Sequence, residues 1–418
     1  NLQSLAGLVF IVAACWLVSE NRRRFPWRLA LGAVTVQALL VLALFAIPGS
    51  QVVLAAITGA VDGLAQATAR GTQFVFGYLA GGDQPYAVTN QGGLFTFAFN
   101  VLPLILVISA LSALLWHWRI LQWITLGFGV LFQKTMGLGG ASALAVAANI
   151  FLGMIESPIV IRAYLDKLTR SEIFLMMVVG LGTVAGSTMV AYASILSAVL
   201  PNAAGHVLVA SIVSAPAGIL LARIIIPEKP GEGGETADYG SALRYDSAID
   251  AIVKGTADGL MVVLSISAVL IVFVALVALV NIMIGGLWLF DAPVTVERLL
   301  GWMFMPLAWL IGIDWAEAGR AGWLLGVKLT LTEFVAFIEL GKIPLGEMSE
   351  RTRMLLTYAL CGFANIGSVG ITVTGLSVLI PERREEVLGM VWKALFAGFL
   401  CTLTTAAVVG AMPASIFA

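Results

Sequence analysis

The chain has 418 residues, 60% hydrophobic and only 11% charged, with a formal net charge of −1. A soluble domain carries about 25% charged residues, so the composition excludes a soluble globular protein, and the near-neutral charge offers no basic field for nucleic acid. The apolar runs are near-continuous and do not alternate at period two, which predicts an all-α integral membrane protein and not a barrel of strands.

Residues 5–19 are apolar and are followed by Glu20 and Arg22–Arg24. The positive-inside rule starts this first span outside and ends it in the cytoplasm. Residues 29–47 return. Residues 48–93 hold one basic residue, Arg70, and suit an external segment, with Thr72–Leu79 flat on the membrane surface. Residues 1–93 thus form an N-terminal unit.

A pattern begins at residue 94. Residues 94–115 predict a span running inward, and 117–137, with Trp118, Arg119 and Lys134, an interfacial helix. Residues 138–165 are interrupted midway by Gly153 and Pro158. Two arms of about 18 Å cannot each cross a core of about 30 Å, so a re-entrant hairpin is expected. Spans follow at 172–199 and 206–226, closing a first repeat at 94–226. Residues 227–254, with Pro230-Gly-Glu-Gly-Gly, predict a cytoplasmic linker. Residues 255–418 repeat the plan: a span at 255–284, an interfacial helix at 294–313, a second hairpin at 316–346, and spans at 353–379 and 386–412. Three spans per unit is odd, so the units run in opposite directions. Inverted repeats with broken helices are a transporter architecture. The arginines at 351 and 353 fall on the outer side in this scheme.

The polar residues cluster at the interruptions. Glu156 lies in Gly153-Met-Ile-Glu-Ser-Pro158, either accepting hydrogen bonds from a ligand or capping the helix that follows. Glu333, in the second hairpin, either binds a diol through its two acceptor oxygens or pairs with Lys328. Gly362-Phe-Ala-Asn-Ile-Gly-Ser368 predicts unwound backbone beside a cavity, and Gly182-Thr-Val-Ala-Gly-Ser187 either the same or close helix packing. Asn149 with Thr183 and nearby carbonyls offers hard oxygen ligands that suit Na⁺. The cysteines, Cys15, Cys361 and Cys401, are far apart and fit packing roles, and the two histidines offer no catalytic or metal cluster.

In this order, Asn149, Gly153-x-x-Glu156-x-Pro158, Gly182-x-x-Ala-Gly-Ser187, Gly326-x-Lys328, Thr332-Glu333-Phe-Val-Ala and Cys361-Gly-Phe-Ala-Asn365 resemble the concentrative nucleoside transporter family over most of 94–418. The resemblance implies no enzyme and no cofactor, but a homotrimer in the inner membrane with eight transmembrane helices and two opposed hairpins per protomer. It implies a scaffold of the first three spans and span 255–284, against which a mobile part moves like an elevator. It puts the ribose on Glu333, Asn365 and Ser368, and the base on Met154, Ile155 and Glu156 with Thr188 and Phe363 nearby. It puts Na⁺ at Asn149, the Leu152 carbonyl, Thr183 and the Val184 carbonyl. Coupling to H⁺, or another small polar solute on the same plan, are the alternatives. Many members carry Gln and a small hydroxyl residue where this chain has Met154 and Ile155, which points to a purine preference.

Overall fold

The computed structural model describes residues 2–23, 25–46, 49–86, 96–154, 156–229, 243–289, 292–413 and 416–417. Among these the architecture is helical, apart from a two-residue antiparallel ladder, β1 (Trp288–Leu289) with β2 (Ala292–Pro293). In the first half, α1 (Leu2–Leu17) and α2 (Trp27–Phe45) lead into α3 (Ser50–Phe76), α4 (Phe97–Asn100), α5 (Pro103–His117) and α6 (Ile120–Met136). Then come α7 (Gly140–Asn149), α8 (Glu156–Val160), α9 (Arg170–Gly182), α10 (Gly186–Leu196) and α11 (Ala203–Ile225). The second half has α12 (Ala248–Ile284), α13 (Val296–Leu310), α14 (Trp315–Thr330), α15 (Glu333–Lys342), α16 (Glu350–Leu360), α17 (Ile366–Leu379) and α18 (Arg384–Ala411).

Six helical stretches among the described residues are long and apolar enough to cross a membrane: 27–45, 97–117, 170–196, 203–225, 248–284 and 381–411. At 16 residues α1 falls short of that length, and residues 350–379 are divided into α16 and α17.

Three boundaries differ from those expected. Residues 50–76 make one continuous 27-residue helix, so no separate surface helix starts at Thr72. Glycines at 59, 63 and 71 cost about 1 kcal/mol each against alanine without breaking the helix, and Thr58, Asp62, Gln66 and Arg70 recur every four residues on one face. The linker is shorter than 227–254, because Ser247 accepts the Asp250 N–H and starts α12, which then runs for 37 residues. The Asp250–Lys254 pair, 2.8 Å apart, supports that first turn. Residues 230–242 of the linker, 87–93 of the outer segment and 94–95 of the span expected after it lie outside the described residues. The third difference is in the first hairpin. Its break takes in residues 150–154, and its second arm is a five-residue α8 followed by a 3₁₀ turn at Arg162–Lys167.

The core is built on α9, α11 and α18, each buried along most of its length, with α1 and α2 packed on its outer side and α5 paired with α12. A capping box starts α9: Thr169 accepts the Glu172 N–H and the Glu172 carboxylate accepts the Thr169 N–H. With 28 residues, α18 is about 42 Å long. At its start, the Arg383 guanidinium donates to the Leu168 carbonyl beside the base of the first hairpin. At its end, the Gly410 carbonyl accepts from Arg351, and Ser349 nearby donates to Glu317 at the base of the second. The bases of the two interrupted units therefore sit at opposite ends of the protein. Arg353 is buried at that second base and donates to the Leu340 carbonyl in the last turn of α15 and to the Pro344 carbonyl just beyond it.

Candidate functional site

Unwound backbone leaves N–H and C=O groups that need partners, and the three breaks supply them to one another. The Gly186 N–H donates to the Phe151 carbonyl at 2.9 Å, joining the break of 170–196 to that of the first hairpin. The Phe363 N–H donates to the Thr183 carbonyl at 3.2 Å, joining it to the break of 350–379. Contact here is close: a Cβ at Gly362 would meet the Gly182 carbonyl at 3.0 Å. Small residues and unwound backbone, weighed as alternatives for Gly182–Ser187, are both present.

A cavity of about 340 Å³ opens where the breaks meet. Small-molecule sites run from about 300 to 1,000 Å³. Met154, Glu156, Thr188, Glu333, Phe363, Asn365 and Ser368 all line it; Ile155 lies outside the described residues. The expected substrate residues are thus brought together from four separate elements.

Glu333 is the first residue of α15, whose N-cap Thr332 accepts the Val335 N–H at 3.3 Å. Its carboxylate is 5% exposed and held from two sides. Oε1 accepts from the Tyr192 hydroxyl at 2.9 Å, and Oε2 from Asn365 Nδ2 at 2.8 Å. Asn365 in turn caps α17, with Oδ1 accepting the Ser368 N–H at 2.8 Å. Lys328 does not pair with Glu333. Its ammonium donates to the Ala359 carbonyl at 2.8 Å and to Thr402 Oγ1 at 2.7 Å, with the Phe399 ring 5.4 Å away. It therefore satisfies an orphan carbonyl at the end of α16, where a cation is favoured.

Glu156 behaves differently. Its Oε2 accepts the Gly153 N–H at 2.9 Å, so it closes its own turn while still lining the cavity. Met154 Sδ is 3.6 Å from the Thr372 hydroxyl on α17. Thr188 Oγ1 donates to the Ala185 carbonyl at 2.9 Å.

The expected Na⁺ residues are beside the cavity. Asn149 is 2% exposed, and neither its amide oxygen nor its amide nitrogen has a partner among the described residues. Thr183 Oγ1 is 3.4 Å from the Asn149 carbonyl, Leu152 is buried, and the Val184 carbonyl accepts from Ser211 at 3.3 Å. An orphaned amide oxygen beside hydroxyl and carbonyl oxygens is the donor set a hard monovalent cation takes. No group of three or more His, Cys, Asp or Glu fit for a metal occurs among the described residues.

Sequence reasoning missed Tyr192, and also Met261, Val262, Ser265 and Ile266 of α12, which close one wall of the cavity. Tyr192 lies four residues after Thr188, on the same helix face, and this was its one signal. The wall from α12 had none, since it depends on which helix faces the breaks. A larger cleft of about 580 Å³, between α13, α14 and α15, is lined by Arg298, Arg320, Glu339, Lys342 and Glu347, among which Arg320–Glu347 and Lys342–Glu339 pair at 3.0 and 2.7 Å.

Family models described as Na⁺-dependent nucleoside transporter N-terminus and C-terminus match residues 6–79 and 206–410, and one described as nucleoside recognition matches 98–199. The nucleoside permease NupC of Helicobacter pylori is 35% identical over 418 residues, covering 98% of this chain and 97% of its own. The chain belongs to this family of nucleoside transporters. Sodium/nucleoside cotransporter 1 of Mus musculus is 32% identical over 434 residues, covering 98% of this chain and 63% of its own. The solved transporter CNTnw, at 34% identity, has a similar structure in an inward-facing substrate-bound state, with a TM-score of 0.86 over 98% of each chain. A doubly substituted form of it in an outward-facing state matches equally, over 98% of this chain and 97% of its own. Like its family, the chain is a multi-pass membrane protein and a permease, not an enzyme, and in a bacterial cell its place is the inner membrane.

Proposed function

We propose that the protein imports nucleosides in symport with Na⁺. The observation that carries this is Glu333, a carboxylate held by Tyr192 and Asn365 on the wall of a 340 Å³ cavity. An ionised carboxylate has about four acceptor positions; two are taken, and two remain for the vicinal hydroxyls of a ribose, with Ser368 alongside. The base then lies against Met154, Ile155, Glu156, Thr188 and Phe363. Met154 offers a thioether where an amide would select a pyrimidine edge, and sulfur contacts ring edges at about 0.3–1.5 kcal/mol, so purines are preferred.

Na⁺ is held by Asn149, the Leu152 carbonyl, Thr183 and the Val184 carbonyl, at the break that also anchors the first hairpin through Gly186 and Phe151. Ordering that break lowers what substrate binding must then order, so the two sites are coupled by linkage. Transport proceeds by an elevator-like movement of the two re-entrant hairpins and the broken spans, in inverted repeats at 94–226 and 255–418. The working form is a homotrimer of eight-span protomers in the lipid bilayer; the apolar face that α12 leaves uncovered within one protomer supports this. Proteoliposomes test the reading. Uptake of labelled adenosine and uridine is expected with an inward Na⁺ gradient and not in choline buffer, and the label should be recovered unaltered. Equal uptake in both buffers, driven by a proton gradient, would move the coupling to H⁺.

A further inference from the structure

Tyr192 is fully buried on α10, and two phenylalanines one turn apart on α15 grip its ring. It stacks on Phe337 with centroids 4.4 Å apart and planes 18° apart, and meets Phe334 edge-on at 5.0 Å. The grip sets where its hydroxyl can reach, and the hydroxyl meets Glu333 Oε1 at 2.9 Å. Asn365 holds the other oxygen and is itself anchored by the Ser368 N–H. The carboxylate is therefore clamped between α10 and α17, the second halves of the two broken spans.

A glutamate side chain has three rotatable bonds, and a single hydrogen bond leaves the plane of its carboxylate free to turn. Two bonds to opposite oxygens do not. With one side-chain donor on each oxygen, both oxygens keep acceptor capacity for a donor in the cavity that Glu333 lines. We propose that Tyr192 is a positioning residue for ribose: its hydroxyl orients the Glu333 carboxylate so that two adjacent hydroxyls are accepted at once. This rests on the assignment of Glu333 to the ribose. Its consequence is selective. Without the clamp, a substrate donating two hydroxyls loses more than one donating a single hydroxyl.

The test is the Kd of purified protein for adenosine and uridine and for the 2′-deoxy and 3′-deoxy forms of each. Tyr192→Phe keeps the ring stack and removes one oxygen. Ribonucleoside binding is expected to weaken by about three- to tenfold, within the range for the net contribution of one hydrogen bond, and deoxynucleoside binding by less, so the preference for ribose narrows with both bases. In a Glu333→Gln background, Tyr192→Phe should add no further narrowing. Phe337→Leu, which keeps the hydroxyl and loosens the stack, should narrow the preference in the same direction by less, and serves if Tyr192→Phe fails to fold. Uniform weakening of all six ligands, or an unchanged ratio, would overturn the proposal and leave Tyr192 a packing residue. If Glu333→Gln itself leaves the ratio at its wild-type value, the ribose assignment fails, and the proposal with it.

Discussion

The two hairpins carry one glutamate each, yet the residues do different work. Glu333 opens a ten-residue helix and gives both oxygens to side chains from other elements. Glu156 opens a five-residue helix and spends an oxygen on the N–H of Gly153 in its own turn. The first is oriented by tertiary structure, the second by its own loop. Two interrupted helical units can thus each bring a carboxylate to one cavity, one presented by the surrounding fold and the other closing its own turn.

Opposed halves are the premise of the comparison, and the largest effect is all-or-none. In a background lacking Cys15, Cys361 and Cys401, the single substitutions Asp166→Cys and Glu347→Cys should label from opposite sides of the membrane. Labelling from one side would end the comparison. Next in size, Glu333→Gln should weaken nucleoside binding by about 1.5–3 kcal/mol, ten- to a hundredfold, since bonds to the charged form are the stronger ones. Calorimetry on the purified variant reads this directly, and unchanged affinity would remove Glu333 from the site. Glu156→Gln should cost less, about 0.5–1.5 kcal/mol, because the amide oxygen can still accept from Gly153. Equal losses for the two variants would erase the asymmetry. Smallest is the base: Met154→Gln with Ile155→Thr should shift preference toward uridine by about 1 kcal/mol, near fivefold. If competition curves for uridine and inosine keep their ratio, the first tip does not select the base.

Much of this arrangement is legible in the chain because the breaks are written locally. Gly153 with Pro158, Gly182 with Gly186, and Gly362 with Asn365 interrupt apolar runs, and each interruption became a place where helices stop. Glu156, Glu333 and Asn365 stand out because polar groups at membrane depth are expensive. The partners were not legible. Whether Lys328 meets Glu333 or Ala359 depends on how α14 turns against α16, and five-residue spacing on one helix argued only weakly against the pair. The sequence placed Arg353 only by its side of the membrane; that it is buried on the Leu340 and Pro344 carbonyls depends on how α16 packs against α15. The break of the first hairpin took in Gly153 but not Pro158, which lies inside α8, and the second arm continues as a 3₁₀ turn.

Lys328 also bears on the order in which the protein can be built. Its ammonium is fully buried, and its partners are Ala359, 31 residues later, and Thr402, 74 residues later. An unpartnered lysine in the bilayer costs about 2.5–3.5 kcal/mol on insertion scales. When the ribosome has just made the second hairpin, neither partner exists. The full set of partners exists only once α18 lies beside this unit, so the wall of the cavity that Glu333 lines is completed late in synthesis. A truncation that ends before Thr402 loses more than the last helix: it leaves a buried charge beside the cavity with the Ala359 carbonyl alone of its two partners.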